Sequence, residues 1–290
     1  MFEHQLFLNA VLSGLLLGGF YASVSIGLTL SFGRLNIVNI AHPAFVIVGS
    51  YAAYIINVNW GLDPILGGVL CMPLFFLAGV ALYRFYNVCF EARGDEALRG
   101  LAFFFGIMFV IEVGLIIVFG VDYRLVDTFY SGQTIGYGSV SVPLRMLAPF
   151  ITAVVLTLGI QLFLSRTFVG RAISAVAQDE LAVRLMAINP IRIKQIAFGL
   201  AIMTASVAGA LLIVIGPVEP SMGRQYIGRI FAIVVLGGMG SVPGTLLAAL
   251  ILGVAESLTA TFYGPSWSPA VAFGLLLIAL TFRPQGLFGR

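Results

Sequence analysis

The sequence predicts an all-α integral membrane protein of eight or nine transmembrane helices, with a short helix in a cytoplasmic loop and possible re-entrant or broken segments. Composition is the first reason. Of 290 residues, 60% are hydrophobic and 9% charged, with a mean hydropathy of +1.07. A soluble domain carries about 25% charged residues; this chain could not build a polar shell. The second reason is that apolar stretches long enough to span hydrocarbon, about 20 residues, follow one another along the chain. The third is that its basic residues gather on alternate loops, as topology requires. Residues 1–290 read as one transmembrane domain.

The elements follow in order. "MFEHQLFLNA" has no basic n-region and no cleavage motif, so stretch 7–32 is expected to stay as a span. Its "GLLLGG" places small residues where helices can approach closely. Stretch 41–57 comes next, and Asn39 and His42 flank an expected bend at its start. Stretch 61–83 contains Cys71, with Cys89 at its exit. No disulfide is expected there, and two cysteines cannot complete a structural zinc site. Stretch 98–120 carries Glu112 in "GIMFVIEVGLII". In the outer loop 121–142, the alternation Ile135, Tyr137, Val140, Val142 in "TIGYGSVSV" suggests a short β-hairpin, with an irregular connection as the other reading. Stretch 146–165 leads into the loop 166–194. Stretches 195–216, 244–263 (with Glu256) and 267–283 complete the set. The short "RIFAIVVLGG" at 229–238 reads as a half-helix, a re-entrant segment or a tilted span. "GGMGSVPG" at 237–244 reads as a bend at the inner surface, or else as part of a route through the membrane, since irregular backbone at depth needs protein or water around it.

With nine crossings and the N-terminus outside, Arg34, Arg84, Arg93, Arg99, Arg166, Arg171, Arg184, Arg192, Lys194, Arg283 and Arg290 fall inside. Arg124, Arg145, Arg224 and Arg229 fall outside. This bias places loop 166–194 and the C-terminus in the cytoplasm.

That loop contains "GRAISAVAQDELAVRLMAINPIRIK", with four basic and two acidic residues in 25 positions. Asp179 can cap a helix start, and Glu180 sits at the positive end of the helix dipole. Arg184 follows Glu180 by four, the favourable ion-pair order. Leu181, Leu185 and Ile188 fall at i, i+4 and i+7 and make an apolar stripe. Asn189-Pro190 ends the helix, and Pro190 can open the next. The product is a short amphipathic helix, which either lies at the headgroups or docks a cytoplasmic partner.

Catalytic signatures are missing. Lys194 is the only lysine, in "IRIKQI", so a Gly-Lys-Ser/Thr phosphate loop cannot form. His4 and His42 are the only histidines, and neither His-Glu-x-x-His nor Gly-x-Ser-x-Gly occurs. No enzyme activity, metal, cofactor or nucleic acid is expected. What remains is a solute path or a membrane scaffold. Polar groups deep in apolar spans are costly and mark function by default, so Asn39, His42, Glu112 and Glu256 are the path candidates. For His42 and Glu112 a bond to a neighbouring helix is the competing reading.

Five stretches in order carry a family resemblance: "GLLLGGFYASVSIGLTLSFG", "LNIVNIAHPAFVIVGSYAA", "GRAISAVAQDELAVRLMAIN", "LGGMGSVPGTLLAALILGVAES" and the terminal "RPQGLFGR". Across nearly its whole length the chain resembles the permease subunits of ABC importers for branched-chain and other hydrophobic amino acids. Pro43 stands where the family usually has glycine, and the family's Tyr-Arg-Pro after the third span is missing. The resemblance implies a binding protein that delivers solute, a second permease, identical or different, and two cytoplasmic ABC ATPases. Loop 166–194 would be the coupling element, with Arg171, Asp179, Glu180 and Arg184 as polar contacts and Leu181 and Leu185 as apolar ones. Related permeases carry urea, short amides or aromatic acids. An ion-driven secondary transporter is the alternative class, although no repeat is evident.

Overall fold

The computed structural model describes residues 2–91, 96–137 and 140–289. Arg93 and Arg290, both counted above as inner charges, lie outside the described residues. Helix α1 (Phe2–Leu35) is the mast of the bundle. At 1.5 Å per residue its 34 residues reach about 51 Å. Helix α11 (Val242–Phe262) runs antiparallel along it. The two backbones touch through small residues. A Cβ added to Gly18 would lie 2.7 Å from Leu250 Cα, and one on Gly14 would lie 2.6 Å from Val254 Cα. Without glycine there the helices could not approach, as "GLLLGG" suggests. Farther along, the Thr29 and Thr245 hydroxyls pair at 2.8 Å.

After Leu35 the chain turns back, with Asn36 at φ 56°. Residues 36–41 are not helical. Helix α2 (His42–Trp60) then begins beside Val24, where His42 Nε2 lies 3.0 Å from the Val24 carbonyl. Val24 is 11 residues before Leu35, so α2 starts about 16 Å inside the end of α1. The expected bend at Asn39 and His42 is therefore a broken entry at depth. Pro43 fits the first turn of α2, where its missing N–H costs nothing. Gly61 (φ 65°) ends the helix in the left-handed conformation.

Helix α3 (Pro64–Leu70) turns away from α2 by 115°. Helix α4 (Met72–Cys89) continues after a break at Cys71, and both cysteines are free thiols. Helix α5 (Glu96–Phe119) leads to an antiparallel hairpin of β1 (Thr134–Tyr137) and β2 (Val140–Pro143), with Ile135 opposite Val142. The alternation in "TIGYGSVSV" thus becomes a hairpin. Helix α6 (Leu144–Arg166) follows, then the short helices α7 (Phe168–Val176) and α8 (Glu180–Leu185). Helix α9 (Pro190–Ile215) is the buried centre of the bundle. It packs on α2, where Ser50 Oγ donates to the Gly209 carbonyl at 2.7 Å.

Helix α10 (Gly223–Gly237) precedes α11, and α12 (Ser268–Phe282) closes the fold. Among the described residues seven helices are long and apolar enough to span a membrane, or eight if the bent α2–α3 pair is one span. The 15-residue α10 is not among them. It begins against Pro43 and Ala44, at the depth where α2 begins. The ambiguous stretch 229–238 is thus part of a half-length helix that starts six residues earlier than its apolar run. This corrects the reading of Arg224 and Arg229 as outer-loop charges, because both lie on α10 within the bundle. The apolar-run criterion missed them because each is neutralised by a carboxylate from another helix.

One end of the bundle carries the hairpin. The other carries α7 and α8, and is called here the loop end. There Arg34 donates from Nε to the Gly240 carbonyl (2.9 Å) and from Nη1 to Ser174 Oγ (2.7 Å). The Leu287 N–H donates to the Leu236 carbonyl at 2.8 Å. "GGMGSVPG" is accordingly a bend at this end, with Gly238 and Gly240 at φ 96° and 80°.

Candidate coupling loop and polar path

The loop-end element is built by caps. Thr167 accepts from the Gly170 N–H (3.0 Å) to start α7. Asp179 accepts from the Ala182 N–H (3.0 Å) to start α8. Asn189 accepts from the Ile191 and Arg192 N–H groups at the head of α9, and Pro190 occupies its first turn. Helix α8 stops at Leu185, before Asn189-Pro190, because Ala187 takes a left-handed conformation (φ 60°). That turn removes Ile188 from the expected stripe. Val183, 4% exposed, and the half-buried Ile188 anchor the segment inward. Leu181, Leu185 and Met186 stand out at 67, 81 and 74% exposure.

The charged residues divide likewise. Arg171, Asp179 and Arg184 are exposed. Glu180 is drawn back into the molecule. Its carboxylate meets Arg184 at 2.7 Å and Lys194 at 2.7 Å. The hydrogen bond from Lys194 is the main reason its carboxyl titrates below the ordinary value, with Arg184 adding to it. Lys194 also holds Glu91 at 2.6 Å, and Glu91 accepts from Tyr83 Oη and Asn87 Nδ2. A cavity of about 320 Å³ lies beside this cluster, between it and Asn36 and Phe104.

Within the bundle, His42 is fully buried and uses Nε2 on Val24, while its Nδ1 has no partner among the described residues. Asn39 is equally buried, and neither of its side-chain polar atoms is paired there. Both mark the break between α1 and α2. Glu256, 2% exposed, accepts from Arg229 Nε (2.9 Å) and Tyr21 Oη (2.5 Å). This locks α11, α10 and α1 together with both carboxylate oxygens used. Glu112 pairs with Arg224 at 2.8 Å, but here the arginine side chain is 49% exposed. The four path candidates are thus separate: Asn39 and His42 at the broken entry, Glu112 on α5 and Glu256 on α11.

Residue-by-residue reading missed Arg224, Arg229, Tyr21 and Glu91. A signal existed for the arginines. Two carboxylates deep in apolar spans require cations, and Arg224 and Arg229 lead into the one short apolar run.

Residues 10–280 match the family model described as "Branched-chain amino acid transport system / permease component". The chain is 30% identical to the high-affinity branched-chain amino acid transport system permease protein BraD of Pseudomonas aeruginosa, over 98% of this chain and 96% of that protein. It is 28% identical to LivH of Escherichia coli K12, covering 98% and 96%. It is also 28% identical to LivM of the same strain, covering 92% and 67%. A structure of PsaBC from Streptococcus pneumoniae in complex with Fab has a similar fold, with a TM-score of 0.50 at 12% identity, covering 97% of this chain and 93% of that one.

Proposed function

The chain belongs to the branched-chain amino acid transport permease family, and on that premise we propose that it is the membrane subunit of an ATP-driven importer that ATPases grip at α7 and α8. It is a multi-pass membrane protein that pairs with a second permease. Two permease proteins of one named transport system in a single strain, LivH and LivM, both match it. Cytoplasmic ABC ATPases and a solute-binding protein complete the assembly in this reading.

One observation carries it. Leu181, Leu185 and Met186 project from a short helix whose other side is pinned by Val183 and by the Glu180–Lys194 pair. Exposed leucines on a clamped, capped helix suit the groove of a protein partner, and Arg171, Asp179 and Arg184 stand ready as polar contacts. Charge favours a cytoplasmic loop end. Arg34, Arg84, Arg99, Arg166, Arg171, Arg184, Arg192, Lys194 and Arg283 lie there, against Arg124 and Arg145 at the hairpin end. With Arg224 and Arg229 inside the bundle, the bias is stronger than the sequence count. The N-terminus then lies outside and the C-terminus in the cytoplasm.

The test is co-purification of the assembled importer with ATP-driven leucine uptake. Leu185→Asp and Leu181→Asp should release the ATPases while the permease stays folded. Retention of both ATPases and uptake by both variants would remove the coupling assignment.

A further inference from the structure

An exposed charge and an irregular backbone meet at one place inside the membrane span. Arg224 opens α10, and its partner Glu112 lies seven residues, about 10 Å, from the hairpin end of α5 at Phe119. Arg224 is 49% exposed in its side chain, and its neighbour Gln225 is exposed too. The backbone that reaches them from the hairpin end, residues 216–219, is non-helical. The backbone is satisfied by protein, since Val218 bridges the Arg124 backbone, but a half-exposed guanidinium does not tolerate hydrocarbon. The Glu256–Arg229 pair shows the contrast, with side chains 3% and 18% exposed.

The chemistry of this half-open pair, with its arginine exposed and its carboxylate buried, is specific. Among the described residues only Nη2 of Arg224 is engaged, by Glu112, so Nε and Nη1 remain open. The guanidinium lies over the Phe109 ring at 5.8 Å, and Phe105 meets Phe109 edge-on at 4.9 Å. A cation, an anion and an apolar wall stand together on one face. An α-amino acid carries the complementary set: a carboxylate, an ammonium and, for branched-chain members, an aliphatic side chain. We propose that Arg224 and Glu112 form a subsite on the solute path for the zwitterionic head of an α-amino acid, with Phe109 and Phe105 beside its side chain. Arg224 takes the carboxylate and Glu112 the ammonium. The inference rests on the transport reading and adds the group recognised.

The experiment uses the assembled importer with Cys71→Ala, Cys89→Ala and Gln225→Cys, in lipid vesicles. The thiol at position 225 should react with the membrane-impermeant sulfonatoethyl methanethiosulfonate. L-leucine at about ten times its Kd should slow the reaction about tenfold, since it leaves about one site in eleven free. Leucinamide, lacking the carboxylate, and 4-methylpentanoate, lacking the ammonium, should not slow it. Glu112→Gln should abolish the protection. Ser221→Cys replaces Gln225→Cys if the latter does not assemble. An unreactive thiol would mean that lipid or a subunit contact covers this face, and would overturn the site. Equal slowing by all three compounds, no slowing by leucine, or protection that survives Glu112→Gln would overturn it equally. Leucine uptake by the unmodified importer, measured in parallel, tests the transport reading separately.

Discussion

Lys194 Nζ lies 2.7 Å from Glu180 Oε2, so the only lysine of the chain fastens the short α8 to the head of α9. The same ammonium reaches Glu91 at 2.6 Å, beyond the end of α4. One side chain thus ties α8 to two long helices, α9 and α4.

Lys194→Met should break this clasp and leave Glu91, with a side chain 13% exposed, without its cation. Removing one partner of a fully buried pair costs about 3–5 kcal/mol. Here Glu91 keeps Tyr83 and Asn87, so a loss of about 1–3 kcal/mol is expected, read as a lower Tm of the purified protein. Amide exchange in 177–189 should rise while that in α1 does not. Unchanged exchange in that segment would show that the clasp does not hold the loop.

The same contact sets a pH dependence. The Glu180 carboxyl is held below its ordinary value of 4.5, chiefly by Lys194. A lowered folded-state value contributes stability that is present above 4.5 and is lost as pH falls through the lower, folded value. Exchange protection of 177–189, measured relative to α1, should hold from neutral pH to near 4.5 and fall below it. Glu180→Gln should flatten that fall. An identical profile in Glu180→Gln would assign the titration to another group.

Gly18 tests the mast. A Cβ there would meet the Leu250 backbone at 2.7 Å, and backbone cannot rotate away. Overpacking costs about 1–3 kcal/mol in well-packed cores, so Gly18→Leu should lower the yield of folded protein and its Tm. Gly106, with nothing within 4 Å of an added Cβ, is the matched control. Equal tolerance at both positions would contradict the close approach of α1 and α11.

Most spans were legible because apolar length is a one-dimensional property, although stretch 61–83 divides at Cys71 into α3 and α4, and the helix starts at Asp179 and Pro190 because they are local. Two features were not. The half-length α10 hides its start, because Arg224 and Arg229 read as loop charges until Glu112 and Glu256 meet them from helices more than 100 and about 27 positions away in sequence. The outward face of α8 was misjudged at Ile188, because a left-handed Ala187 carries no sequence signal of its own. Glycine or asparagine usually fills that role.

The Glu256–Arg229 pair is the structural contrast to the proposed path charges Arg224 and Glu112. Glu256 is 2% exposed, with Arg229 and Tyr21 on its two oxygens. Arg229→Met should cost about 3–5 kcal/mol by stranding a buried carboxylate. Glu256→Met should cost less, because Arg229 is 18% exposed and keeps the Gln225 carbonyl. The double variant removes both charges and replaces them with flexible apolar side chains, so its loss should be well below the sum of the two. At Arg224 and Glu112 the arginine is half in the open while the carboxylate side chain is only 9% exposed, so this pair lies between an exposed one, worth about 0–1 kcal/mol, and a fully buried one. Arg224→Gln and Glu112→Gln should therefore lower Tm less than Arg229→Met does, while reducing uptake. Unfolding of the four single variants and the Arg229→Met/Glu256→Met double variant in detergent checks both halves. Strict additivity at 229 and 256, or a Tm loss at 112 and 224 as large as that of Arg229→Met, would reverse the assignment of roles.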